Sequence, residues 1–145
     1  MTTDEPKPGG LERLSRDECI AALSANRLGR VVTTFGPDHR PLVRPVSYVC
    51  DPRSGAIIFH SLSGGKLNAL LDCRDACFEI DGESGGSMWS VITRGRVETE
   101  ERPREIARLE HLGLSPTLAI PPDGRWVRIR GEVITGVRFP ARSAA

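Results

Sequence analysis

The sequence predicts a mainly β domain with flanking helices, built as a six-stranded antiparallel barrel. Segments rich in β-branched and aromatic residues recur along the chain. Turn clusters such as Gly36-Pro37-Asp38-His39 and Asp51-Pro52-Arg53-Ser54-Gly55 join neighbouring segments as hairpins. Strands do not alternate regularly with helices, as they would in a doubly wound parallel sheet. The 145 residues suit one compact core, and no internal repeat divides them.

Each element has a local cause. Residues 1–13 read as a flexible leader, polar and proline-containing at its start, without the apolar stretch of a signal peptide. The domain then runs over residues 14–139. Ser15 and Glu18 have capping-box spacing, and Leu14 with Cys19 can staple the first helix. Its apolar face continues through Ile20 and Leu23, and it ends between Asn26 and Gly29. Arg30 to Phe35 and Pro41 to Asp51 are the first two strands. Pro45 lies inside the second, and proline has no N–H to give a ladder. An edge, a bulge or an open seam is therefore expected there. Ala56 to Leu62 is the third strand, and Lys66 to Asp72 a short helix with Leu67, Leu70 and Leu71 on one face. Ala76 to Asp81 and Ser87 to Glu100 follow as strands, separated by a loop from Gly82 to Gly86. Pro103 suits the first turn of a helix carrying Ile106, Leu109 and Leu112, which Gly113 caps. After a proline-rich loop from Ser115 to Gly124, Arg125 to Phe139 forms the last strand, bent at Gly131 or Gly136. Residues 140–145 are a tail.

Composition narrows the function. A formal net charge of +1 gives no pull toward nucleic acid or anionic membrane, and no apolar run is long enough to span a bilayer. Without a secretory signal, Cys19, Cys50, Cys73 and Cys77 are expected as reduced thiols in the cytoplasm. Cys73 and Cys77 have C-x-x-x-C spacing with no histidine nearby, so no metal site is expected and the thiols read as small apolar filler. No Ser–His–Asp or Cys–His set can be assembled from the sequence, which argues against hydrolase chemistry, and the catalytic residue stays unknown. His39, in a turn, and His111, on a helix, read as surface residues. Arg94 with Arg96, and Arg128 with Arg130, read as solvated or ion-paired strand faces.

The most informative stretch is Ile57-Ile58-Phe59-His60-Ser61-Leu62-Ser63-Gly64-Gly65-Lys66-Leu67. It reads as a buried strand entering a Ser/Gly loop, with a lysine where the next helix begins. Such a connection can cradle a phosphate through free N–H groups, hydroxyls and one cation. An ordinary strand–turn–helix with a solvated lysine is the other reading. Adjacent Gly64 and Gly65, with Leu67 where a Ser or Thr should stand, rule out the P-loop spacing.

Five patches, taken in order and spacing, resemble the pyridoxamine 5′-phosphate oxidase-like family of FMN-binding split barrels. The resemblance is to its short bacterial branch, which includes nitroimidazole-reductase-like proteins. The patches are Leu28-Gly29-Arg30-Val31; Pro45-Val46-Ser47-Tyr48; Phe59-His60-Ser61 with Gly65-Lys66-Leu67; Phe78 to Asp81 before Trp89-Ser90-Val91 and Arg94-Gly95-Arg96; and Ile134-Thr135-Gly136 with Arg138. The resemblance implies a homodimer with one FMN in each interface cleft and a small-molecule substrate. It implies a phosphate held by His60, Ser61 and Lys66, and a ring lying against Pro45, Val46 and Ser47. The partner subunit would close the cleft near Trp89 and Ser90, with Arg138 as a further contact. A deazaflavin or a haem, the latter through His60, stands as the alternative cofactor. A non-catalytic binding or carrier dimer stands as the alternative role. The chain departs from the family where His60 stands in place of an arginine and Val137 in place of the first arginine of a Thr-Gly-Arg-Arg ending. Both changes remove positive charge from the implied cleft.

Overall fold

A computed structural model describes residues 10–61, 64–113 and 124–140, without the side chains of residues 65 and 66. The elements are β1 (Glu12–Leu14), α1 (Arg16–Ala25), β2 (Leu28–Phe35), β3 (Arg40–Cys50), β4 (Ile57–Ser61), α2 (Gly65–Cys73), β5 (Asp75–Ser84), β6 (Ser87–Glu100), α3 (Pro103–His111), β7 (Arg125–Ile129) and β8 (Val133–Pro140). The capping box expected for α1 is present: Ser15 Oγ accepts from the Glu18 N–H at 3.1 Å, and Glu18 Oε1 accepts from the Ser15 N–H at 3.0 Å. The α3 helix starts at Pro103, and Gly113 follows it with a φ of 94°.

Six strands close an antiparallel barrel in the order β6, β5, β2, β3, β4, β7 and back to β6. Closure relies on the length of β6. Its Ser87–Arg94 stretch pairs with β8, and its Val97–Glu100 stretch pairs with β7. The single last strand expected from sequence is therefore two strands, broken at residues 130–132. The break has a steric cause. A Cβ on Gly95 would lie 1.8 Å from the Arg130 carbonyl oxygen, so the β7–β8 connection crosses β6 where no side chain stands. The Arg130 N–H donates to the Arg96 carbonyl at 2.9 Å and fixes the crossing. Glu12 and Arg13, read as leader, instead pair through β1 with Arg138 and Val137 of β8. The expected loop at Gly82 to Gly86 is mostly strand, turning only at Gly85 and Gly86.

Alternate residues fill the barrel: Val31, Val46, Tyr48, Phe59, Phe78 and Val127 all belong to the main core. Tyr48 and Phe78 meet edge-on at 4.6 Å, and the Tyr48 hydroxyl donates to the Leu23 carbonyl at 2.6 Å, tying α1 to the barrel. A second cluster of Val49, Ala56, Ile58, Leu109 and Trp126 forms beneath α3, on the opposite face of β3, β4 and β7. Among the described residues no helix is long and apolar enough to cross a membrane.

Gly95→Ala should lower unfolding free energy by roughly 2–3 kcal/mol, because the obstacle is backbone and cannot swing aside. Urea denaturation followed by circular dichroism measures it, and a loss within error would show that the crossing has slack.

Candidate functional site

Strand β3 is covered unequally on its two edges. Toward β2 it is paired along its length, from Ser47↔Leu28 to Arg40↔Phe35. Toward β4 it is paired, among the described residues, only at Tyr48, Val49 and Cys50. The Tyr48 N–H donates to the Arg27 carbonyl at 2.9 Å, and this bond sets the phase of the ladder. Antiparallel alternation then turns the backbone groups of Val46 and Arg44 toward β2. Those of Val43, Pro45 and Ser47 turn toward the edge that β4 leaves uncovered. Pro45 thus sits where a missing N–H costs no β2 bond, and among the described residues the second edge of β3 is open there, one of the three outcomes expected from the proline. The pleat exposes the Pro45 and Ser47 side chains, while Val46 is buried in the core.

The end of β4 faces the mouth of this seam. Phe59 is the last β4 residue paired with β3, so His60 and Ser61 begin where the two strands part. They point to opposite faces of the sheet. Ser61 is buried, whereas His60 is half-buried and edge-on to Trp126, with ring centroids 4.8 Å apart. The chain next enters α2, whose first described helical bond runs from the Asn68 N–H to the Gly64 carbonyl at 3.0 Å. The N–H groups of the turn before it have no partner within the helix itself. The Lys66 backbone lies in that turn; its side chain, Leu62 and Ser63 lie outside the described residues.

Trp89, Ser90 and Arg138 lie elsewhere. Trp89 pairs with Arg138, and Ser90 with Val137. Trp89 packs over Gly82, where an added Cβ would meet its ring at 2.8 Å. Arg138 reaches Glu12 at 3.5 Å and Glu18 at 3.8 Å. His60, by contrast, connects to β6 through Trp126, whose β6 partner is Glu100. From Trp89 to Glu100 the path along β6 is roughly 35 Å at about 3.3 Å per residue. From the seam itself they are nearer: Pro45 pairs with Arg30, Arg30 with Glu79 and Glu79 with Ile92, so three strand spacings, about 14 Å, separate Pro45 from β6.

Ion pairs brace the His60 side. Arg128, read from sequence as a solvated or paired strand residue, is buried and meets Glu100 at 3.3 Å and Glu105 at 3.1 Å. Arg108 bonds Glu105 and also Asp51 at 2.8 Å. The Arg108 bond, with Arg128 behind it, drives the Glu105 carboxyl down to about 2. Glu100 is also lowered, chiefly by Arg102, whose side chain bonds it at 2.9 Å. This network presses α3 over Trp126, the wall beside His60. On the outer face of β2 and β5, Arg30 bonds Glu79 and meets Asp81 at 2.7 Å. Burial outweighs the Arg30 contact there and raises the Glu79 pKa.

The four thiols divide into two kinds. Cys19 and Cys50 are buried core residues, as read from the sequence. Cys73 and Cys77 are only half-buried and line a cleft, which corrects their reading as filler. The C-x-x-x-C spacing was the only sequence sign of it, because the cleft is formed by strand divergence. Among the described residues no cluster of three or more His, Cys, Asp or Glu gathers as a metal site would need.

Comparison with known proteins agrees with this architecture. The sequence model of a family described as pyridoxamine 5′-phosphate oxidase matches residues 15–138. An FAD-binding protein from Mycobacterium smegmatis is 31% identical, with a TM-score of 0.73 over 88% of this chain and 99% of that one. A Corynebacterium glutamicum protein, provisionally described as a pyridoxamine 5′-phosphate oxidase, is 27% identical, with a TM-score of 0.73 over 98% of this chain and 100% of that one. A haem-binding protein from Mycobacterium smegmatis is 20% identical, with a TM-score of 0.67 over 85% of this chain and 54% of its own; it attests the fold alone. Among curated proteins nothing matches.

The bracing network predicts acid sensitivity. The folded Glu105 carboxyl lies at about 2, against about 4.3 in an unfolded chain. Its stabilisation is complete above the unfolded value and is lost as pH falls toward the folded one. Glu105→Gln should cost roughly 1–3 kcal/mol at neutral pH, and the gap to the parent chain should close in acid. Urea midpoints across that pH range measure both; a constant gap would mean that the charge of Glu105 is not what braces α3.

Proposed function

The chain belongs to the pyridoxamine 5′-phosphate oxidase family, and from that membership we propose that it is an FMN-dependent oxidoreductase acting on a small molecule. The observation that carries the reading is the edge of β3 that no described residue covers. There the backbone groups of Val43, Pro45 and Ser47 face away from β2 beyond the reach of β4. A flavin ring has polar edges and apolar faces, and this edge supplies main-chain partners beside the exposed Pro45 ring. The residue chemistry fits the group. His60, Ser61 and Lys66 flank the seam's mouth or begin α2, where the phosphate would be held by hydroxyl, N–H and cationic donors.

Trp89, Ser90 and Arg138 stand across β2 and β5 from the seam: Pro45 pairs with Arg30, Arg30 with Glu79, and β5 in turn with β6, where Asp81 meets Ser90. We assign them to the seam of a second copy, as a homodimer with clefts at its interface. Val46 acts from the core side, holding the strand that carries Pro45 and Ser47. The flavin supplies two-electron chemistry when bound. The chain's own part is to orient it, exclude water from it and leave room for substrate. The free thiols and near-neutral charge suit a cytoplasmic protein.

The flavin-binding relative supports the cofactor class, and His60 keeps haem as the competing cofactor. A carrier role is the second reading, favoured by His60 and Val137 standing where the family resemblance implies arginine.

The test is the visible spectrum of purified protein after FMN loading and gel filtration. Flavin bands should persist, and Lys66→Ala should weaken FMN affinity about tenfold or more. Unchanged affinity in that variant would overturn the phosphate assignment, and a Soret band would move the cofactor to haem. Reduction by a nicotinamide cofactor, followed by substrate-dependent reoxidation, separates enzyme from carrier.

A further inference from the structure

The outer face of the sheet formed by β3, β2, β5, β6 and β8 is unusually apolar. Continuous register places Leu28, Val43, Met88, Ile92, Val133 and Phe139 on this one face, and each is exposed. Of the exposed large apolar side chains described, only Phe35 and Leu71 lie elsewhere. Apolar surface gathered on one face marks an interface.

An ion cluster stands at the middle of this face. Arg30 of β2 bonds Glu79 of β5 and meets Asp81 at 2.7 Å, so two carboxylates share one guanidinium. The remaining neighbours of Glu79 on the face are Cys77 on its own strand, Ile92 opposite it on β6, and Ser90 and Arg94 on either side of Ile92. Beyond Arg30, β3 places Pro45. Arg94 is the one further charge among these neighbours. Burial already holds the Glu79 carboxyl above the ordinary value, against the pull of Arg30, and Asp81 adds to the rise.

The place of the cluster in a dimer follows from symmetry, and here the inference rests on the homodimer reading. A two-fold contact is reciprocal, so when Pro45 of each copy lies at Ser90 of the other, the axis passes midway between those two residues. Midway is the β2–β5 pairing that carries Arg30, Glu79 and Asp81. Two clusters then meet across the axis, four carboxylates with two guanidiniums.

We propose that a second copy covers this face about that axis, and that Glu79 takes up a proton as the copies meet, so that acid closes the cofactor clefts and base loosens them. The proton passes from solvent to a Glu79 carboxylate oxygen. It removes like charge that pairing would otherwise bury, and the new hydroxyl can donate to the Asp81 carboxylate. The gain is full below the Glu79 value of the free chain. It is lost as pH rises through the higher value in the dimer.

The test is sedimentation of the full chain, without cofactor, over a dilution series from about pH 5 to about pH 7.5. The dimer dissociation constant should rise about tenfold or more across that range. Glu79→Gln keeps a donor without the charge. It should flatten the rise and dimerise at the upper pH at least as tightly as the parent chain. Ile92→Glu and Val43→Glu should each dissociate the dimer while circular dichroism shows an intact fold. A parent constant that does not move with pH, or moves equally in Glu79→Gln, would overturn the proton uptake. A dimer undisturbed by both apolar-to-Glu variants would overturn the face. A parent chain that is monomeric at every pH would overturn the homodimer itself, an outcome distinct from the other two.

Discussion

The close approach of Gly95 and the Arg130 carbonyl is the constraint on which the rest of the molecule depends. It lets the returning chain cross β6, so that one long strand serves both β7 and β8. Pairing with β7 closes the barrel and sets Trp126 beside His60. Pairing with β8 sets Arg138 beside Trp89 and receives β1. A side chain at Gly95 would push the crossing apart and disturb both ends of β6 at once. The strand break is therefore what sets Trp126 and Arg138 at opposite ends of β6, as well as what closes the core.

The second constraint is the phase of one ladder. Because the Tyr48 N–H reaches Arg27, Val43, Pro45 and Ser47 present their backbone to an edge without a neighbour among the described residues. Uncovered strand edges invite pairing with other chains, and proline is one of the residues that blunt them. Pro45 removes one donor from that edge while leaving its carbonyl, and Ser47 keeps both groups. The edge is thereby poor at recruiting another strand yet still polar enough to meet a ligand. The α3 network works in the same direction from the other side, since Arg128, Glu100 and Glu105 hold the helix over the wall that supports His60.

Much of this was legible where the cause is local. The Ser15–Glu18 box, the turns at Gly36 and Asp51, and Pro103 each announce an element through their own chemistry. Pro45 announced the open seam for the same reason. What the sequence hid is non-local. β1 is only three residues long and exists because β8 lies beside it. The break after Ile129 depends on a glycine more than thirty positions earlier. The separation of Trp89 from His60 depends on register, which no single segment encodes. Arg128 reads as an exposed alternating residue until α3 is seen to cover it. Cys73 and Cys77 read as filler until β2 and β5 are seen to diverge.

The central claim is that each cofactor cleft is built from two chains. Its most direct measurement is FMN binding by a mixture of two variants, Lys66→Ala and Arg138→Ala, unfolded together and refolded. If one chain supplies the phosphate end and its partner the Arg138 end, a mixed dimer carries both lesions in one cleft and none in the other. Sites of parental affinity should then reappear that neither variant shows alone. If the mixture binds only as the average of the two separate variants, the cleft belongs to one chain and the account is wrong.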